Sequence, residues 1–233
     1  MADGCLQLIN EDQEIQASAL KSSAENWRLE DWDTDYNIVT LCGEPGSGKS
    51  TLGNALFDAQ FSVSQDGKST SSSEGVWMSK VSGMNVLAMD AAMMAASDSG
   101  KGWTCRLRNH VFVTAVSSVF IVNVNESTFK KDSYSNVVFL LKHIFSAHLA
   151  LFGRRHKTLL LFAIRDYTEQ TTQTKLRSIL ATYIKSAWDR VKKTVKGKKR
   201  SANDFFDYSI VALPSKLDAP DEFDAAVAQL RTR

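Results

Sequence analysis

Cysteine is scarce in this chain: Cys5, Cys42 and Cys105 are three, an odd number with no paired spacing. That excludes a disulfide framework and points to reduced thiols in a cytosolic setting. No apolar run approaches the roughly 18–20 residues that span a bilayer. The N-terminus carries Asp3, Glu11, Asp12 and Glu14, the wrong chemistry for a secretory or transit peptide. Charge of one sign does not dominate either, since 28 Lys and Arg against 26 Asp and Glu leave +2, which indicates no partner class. No internal repeat occurs. What remains is ordinary for a globular protein: 233 residues, 43% hydrophobic and 23% charged, suited to one domain over residues 1–233 that buries its own core.

Short apolar runs alternate with longer amphipathic ones. Asn37–Cys42 reads as a buried strand, Ser50–Phe57 as a helix with Leu52, Ala55 and Leu56 on one face, and Val76–Val81 with Met84–Met89 as two strands joined at Ser82–Gly83. Val119–Val124, Thr158–Ile164 and Phe205–Leu213 are further strands, and Val137–Leu151 a helix. From Thr172 to Val191, Leu176, Ile179, Leu180, Tyr183, Ile184, Ala187, Trp188 and Val191 repeat at three- and four-residue steps, a clear amphipathic helix. Asp221–Leu230 closes the chain as a helix whose acidic first turn suits its dipole. Residues 1–36 are expected to hold N-terminal strands and a helix leading into the domain. The alternation predicts an α/β three-layer sandwich around a mostly parallel sheet, with ligands beyond the carboxyl ends of the strands.

One such end carries GEPGSGKST, Gly43 to Thr51. G-x-x-x-x-G-K-S between strand and helix is a phosphate loop. Gly43, Gly46 and Gly48 keep Cβ atoms out of the way, so that backbone N–H groups, including those of Glu44 and Ser47, converge on phosphate oxygens beside Pro45. Lys49 reaches the terminal phosphates, the Ser50 hydroxyl coordinates Mg²⁺, and the helix adds its positive end. This fold is the P-loop NTPase sandwich. Asp90, at the end of Met84–Met89, is placed to hold Mg²⁺ through water; the alternative is a turn aspartate. The usual guanine-reading N/T-K-x-D does not occur, but Arg165-Asp166 ends LLLFAI. A carboxylate there can accept both guanine N1–H and N2–H₂, which adenine cannot offer. The alternative for this pair is a surface ion pair.

The stretches CLQLIN, GEPGSGKSTLGNALF, EGVWMSK, LAMD, KTLLLFAIRDYTE and DFFDYSIVALPS run through nearly the whole chain in order. In them the sequence resembles the GTPase domain of the dynamin-like endoplasmic-reticulum fusion proteins, the atlastin and root-hair-defective group, and most of all the root-hair-defective branch. The resemblance implies a GTP hydrolase that takes GTP/GDP and Mg²⁺, with Asp166 selecting guanine. It implies that Ser73, in the serine-rich loop before Gly75, replaces a threonine that binds Mg²⁺ and positions water. It further implies a nucleotide-dependent homodimer, on the cytosolic face of the endoplasmic reticulum if part of a longer protein. Membrane contact would come only through a stalk and hairpin that these residues do not include.

Two departures bear on hydrolysis. The family's D-x-x-G is DAAM here, so Met93 stands where a glycine is expected; a positive φ would cost a methionine about 1–2 kcal/mol, and Ala91–Ala96 favours helix. The atlastin P-loop arginine is replaced by Gly46, with only Lys68 and Lys101 in flanking loops; an arginine finger contributes roughly 10³–10⁵ in rate. The catalytic group is therefore unassigned apart from Ser73. A second reading is a pseudo-GTPase that holds nucleotide as a regulatory or interaction module, and a third an ATP-dependent kinase indifferent to Asp166. The basic run Arg190–Arg200 reads as a solvated loop, with anionic lipid as the alternative. Nucleic acid is not expected, because no aromatics interleave with those charges. His143, His148 and His156 lack metal-ligand spacing, and His110 stands alone.

Overall fold

A computed structural model describes residues 4–44, 46–63, 75–91, 100–129, 134–152, 157–169, 171–191 and 200–232. Seven strands form one sheet: β1 (Cys5–Ile9), β2 (Asn37–Cys42), β3 (Val76–Lys80), β4 (Val86–Ala91), β5 (Val119–Asn125), β6 (Thr158–Arg165) and β7 (Phe206–Ala212). Their order is β1-β3-β4-β2-β5-β6-β7. The five strands from β4 to β7 run parallel, and β1 and β3 form an antiparallel edge. Six helices accompany them among the described residues: α1 (Ala17–Asn26), α2 (Lys49–Phe57), α3 (Gly100–Val116), α4 (Tyr134–Phe152), α5 (Gln173–Val191) and α6 (Pro220–Arg231).

The three layers follow from the period-two alternation of side chains along the central strands. Phe120, Val122 and Val124 of β5 and Leu160, Phe162 and Ile164 of β6 join one core cluster, with Val113 of α3, Leu141 and Phe145 of α4, and Leu180 and Trp188 of α5. The intervening Ile121 and Ala163 face the opposite side, where Leu52 and Leu56 of α2 and Phe223 and Val227 of α6 cover them. Burial on both faces explains why β5 and β6 are nearly continuous apolar runs rather than half-polar ones. The helix–helix contacts α3 with α4, α4 with α5 and α2 with α6 complete the outer layers.

Element boundaries differ from the sequence reading in informative places. Asp90 does not close its strand but lies within β4, opposite Leu41 on β2 and Trp77 on β3. Met84 and Asn85 belong to the turn instead, where Asn85 Nδ2 donates to the Asp35 carbonyl. Among the first 36 residues, those described contribute one strand, β1, then α1 and a 3-10 turn at Leu29–Trp32. No helix of the described residues is long and apolar enough to cross a membrane.

Candidate functional site

The site grows from β2. The next parallel strand after it, β4, lies on one side and β5 on the other, so a crevice opens beyond the carboxyl end of β2. The chain leaves β2 through Gly43 and re-enters helix at Lys49, with Gly48 in a left-handed cap at φ 76°. The loop is tight on two sides. A Cβ at Gly43 would come within 2.7 Å of the Asn123 carbonyl oxygen, and one at Gly48 would collide with the Arg165 guanidinium. Gly46 is exposed and open on all sides. Asn123 Nδ2 donates to the Ser47 carbonyl at 2.7 Å, tying the loop to β5. Glu44 is exposed and Thr51 half-buried at the start of α2.

Two ionisable groups lie buried beneath this loop. Lys49 Nζ stands 3.8 Å from Asp90 Oδ1, with side-chain exposures of 7% and 9%. The Ser50 hydroxyl donates to the other carboxylate oxygen, Asp90 Oδ2. Asp90 Oδ1 has no hydrogen-bond partner among the described residues. Burying an ammonium and a carboxylate costs several kcal/mol each unless they compensate one another; here Asp90 Oδ1 faces Lys49 at 3.8 Å without a hydrogen bond, a hard acceptor available to a cation. The Cys42 thiol beside them is pushed far up by burial and stays protonated, donating to the Ile121 carbonyl at 3.6 Å. Burial and then the nearby Asp90 charge push Cys5 up to about 12. None of these thiols is a nucleophile at neutral pH.

The second half of the site lies at the ends of β5 and β6, in register at Asn125 and Arg165. Asp166 follows β6 at φ 53°, a conformation aspartate tolerates better than most residues. Its Oδ2 accepts from Asn125 Nδ2 and lies 3.5 Å from Arg165 Nη2. Asn125 Oδ1 in turn accepts from the Ser127 N–H at 2.8 Å. Next to it, the buried Glu126 Oε2 accepts from the Thr168 N–H at 3.0 Å and the Thr168 hydroxyl at 2.8 Å. A cleft of about 290 Å³ joins the two halves, lined by Gly43, Glu44, Gly46, Ser47, Asn123, Asn125 and Arg165, with Val137 and Leu140 of α4 as its apolar wall.

The structure thus brings together Gly43, Glu44, Gly46, Ser47, Gly48, Lys49, Ser50, Thr51 and Asp90 on one side and Arg165 and Asp166 on the other. Pro45, Ser73, Lys68 and Met93, the lysine side chain at position 101, and residues 192–199 of the basic run lie outside the described residues. At the ends of that run, the Arg200 carbonyl accepts from Trp188 Nε1 at 3.0 Å. Sequence reasoning missed Asn123, Asn125, Glu126 and Thr168 as parts of the site. The available signal was two asparagines at the carboxyl end of an otherwise β-branched buried strand, where a parallel sheet gathers its ligand groups.

A phosphate loop on β2, a lysine–aspartate pair beneath it and a strand-end aspartate two strands away define a P-loop GTPase domain. Residues 42–233 match the family model of the Root hair defective 3 GTP-binding protein GTPase domain. The chain belongs to that family of GTP-binding, GTP-hydrolysing domains. It is 32% identical to protein SEY1 of Laccaria bicolor over 98% of this chain and 30% of that protein. It is 33% identical to protein SEY1 of Mycosarcoma maydis over 99% of this chain and 28% of that protein. The chain therefore spans about 30% of the length of the curated relatives it matches. Among solved structures, a variant of SsGBP aligns with 95% of this chain and 63% of its own, at 12% identity and a TM-score of 0.48. The family assignment lends no support to the non-hydrolysing module.

Proposed function

We propose that this domain binds GTP with Mg²⁺, reads guanine through Asp166, and couples hydrolysis to pairing of two copies within a longer protein that tethers and fuses endoplasmic-reticulum membranes. One observation carries the nucleotide reading: Lys49, Ser50 and Asp90 converge under the phosphate loop while Arg165 and Asp166 stand at a strand end two strands away. The donor set fits Mg²⁺, a hard cation that takes few protein oxygens and leaves its other positions to water and phosphate. Ser50 Oγ and the Asp90 carboxylate, whose Oδ1 has no hydrogen-bond partner among the described residues, would hold it. When bound, the ion neutralises charge on the terminal phosphates and their leaving oxygen.

The chain's own groups do the rest. Backbone N–H groups of the loop and the N-terminus of α2 orient the phosphates. Lys49 moves its charge from Asp90 toward the γ-phosphate. Asp166 holds the base, so that the ends of parallel strands in one sheet fix both ends of the nucleotide. By family resemblance Ser73 positions the attacking water and serves as a second Mg²⁺ ligand, and the membrane step depends on regions beyond this domain. The test is titration of the purified chain with GTP, GDP and ATP in the presence of Mg²⁺, followed by phosphate release, with light scattering to follow pairing. GTP preference with turnover and nucleotide-dependent dimers is the expected outcome. A preference for ATP overturns the base reading, and tight guanine binding without turnover overturns the proposed hydrolysis despite Met93.

A further inference from the structure

The position of the base-reading carboxylate depends on a side chain from another strand. Asp166 carries two competing neighbours on the same oxygen. Arg165 Nη2 is 3.5 Å from Oδ2, too long for a strong charge-assisted bond, while Asn125 Nδ2 makes a close hydrogen bond to it. The Arg165 guanidinium is itself drawn over Gly48 of the phosphate loop. A carboxylate free to close on that guanidinium would swing along the strand ends toward the phosphates and away from a base. Asn125 prevents this, and its own amide cannot flip without losing the Ser127 N–H bond at 2.8 Å that fixes Oδ1 as the acceptor and Nδ2 as the donor. The next residue, Glu126, clasps the far side of the same loop through both polar groups of Thr168.

We infer that Asn125 is a positioning residue for guanine selectivity, holding the Asp166 carboxylate in the orientation that accepts guanine N1–H and N2–H₂ together; this rests on Asp166 being the base-reading group. The chemistry suits the task. A carboxylate offers about four lone-pair sites, and a neutral amide fills one of them without cancelling the charge. A lysine in that place would also anchor the carboxylate but would compete with the base for it. Asn125 lines the cleft with the phosphate loop and Arg165, so it acts at the seam between the two halves of the site. The backbone on either side is held, Arg165 in register with Asn125 and the Tyr167 N–H on the Leu213 carbonyl at 3.0 Å, so what remains to be set at Asp166 is the direction of its side chain.

The experiment compares Kd for GTP and for inosine triphosphate, which keeps N1–H but lacks the 2-amino group. It uses the wild-type chain and the variants Asn125→Asp and Asn125→Ala. Asn125→Asp is nearly isosteric and preserves the acceptor for the Ser127 N–H, which protects the fold. The GTP:inosine triphosphate preference is expected to fall at least about tenfold in both variants, the size of one lost charge-assisted hydrogen bond. A lower melting temperature with both affinities reduced in parallel and the ratio unchanged would show that Asn125 is only a strut, and would overturn the inference. A drop in Asn125→Asp alone, with Asn125→Ala at the wild-type ratio, overturns it too, because repulsion between carboxylates would then be the sole cause. Asp166→Asn, assayed with xanthosine triphosphate, tests the underlying reading separately. A switch of preference from GTP to xanthosine triphosphate upholds Asp166 as base reader whatever Asn125 does, and its absence overturns both.

Discussion

The phosphate end and the base end of this site are built from different materials. Under the phosphate loop, backbone and two buried charges do the holding. Lys49 and Asp90 are almost wholly enclosed, and a Cβ at Gly43 or Gly48 would run into the Asn123 carbonyl or the Arg165 guanidinium. At the base end, side chains from separate strands clasp one another: Asn125 with Asp166, Glu126 with Thr168, and Asp166 itself is 37% exposed. The first arrangement is preformed and indifferent to which nucleotide arrives. On the proposed reading, selectivity resides in the second, where side chains rather than backbone do the holding. The difference implies a rule that experiment can break: changes at the phosphate end should lower affinity for all nucleoside triphosphates in parallel, whereas changes at the base end should alter ratios.

Removing the counter-charge under the loop is expected to have the largest effect. Asp90→Asn leaves Lys49 buried without its carboxylate, which typically costs about 3–5 kcal/mol of stability. Denaturant unfolding of the nucleotide-free chain should show the midpoint falling without a change of slope. A shift under about 1 kcal/mol would mean that Lys49 reaches solvent readily and that the pair contributes little. Lys49→Ala comes next, with GTP binding weakened at least about 100-fold through the loss of two charge-assisted phosphate contacts at roughly 1.5 kcal/mol each. Inosine triphosphate should weaken by the same factor, and a changed ratio would contradict the separation of roles. Gly48→Ala follows at about 2 kcal/mol, from positive-φ strain of about 1–2 kcal/mol plus displacement of Arg165. Because Arg165 adjoins Asp166, this is the phosphate-end change most able to disturb the ratio as well, and titration of both nucleotides reads that directly.

The same contrast governs what the sequence made legible. The phosphate loop is one contiguous segment, and every residue in it has a local reason, so reading it needed no tertiary information. The strand before it, Asn37–Cys42, and the long helix ending at Val191 were legible on the same terms, from a β-branched run and an unbroken apolar stripe. The clasp was not, because Asn125 and Asp166 are 41 residues apart and meet only through the β5–β6 register. Helix α3 escaped for another physical reason. Its fully buried positions include Asn109, His110 and Thr114 beside Val113, so the stripe that betrays a buried helical face is interrupted by polar groups. Asp90 reads from sequence as the residue that closes its strand, whereas β4 runs one residue further to Ala91 and the buried carboxylate finds Lys49 as its partner.

That polar interior of α3 provides a control that shares no side chain with either half of the site. His110 is fully buried, edge-on to His143 at a ring separation of 6.1 Å. Burial, and then the neighbouring His143, lower its pKa to about 3 from the ordinary 6.5. His143 is lowered as well, mainly by burial. The unfolded chain then binds a proton at position 110 below pH 6.5 that the folded chain refuses until about pH 3. Stability is therefore full above pH 6.5 and is lost as pH falls through that window. The loss is roughly 1.4 kcal/mol for each pH unit below 6.5, so about that much at pH 5.5. His110→Phe should flatten the slope of unfolding free energy against pH between 7 and 5.5, even if it shifts the whole curve. The GTP:inosine triphosphate ratio should stay constant across the same range, since His110 meets His143 and Thr114 rather than the clasp. A ratio that drifts with the His110 titration would mean that the α3–α4 interior is coupled to the base end, and the division of roles between the two halves would fail.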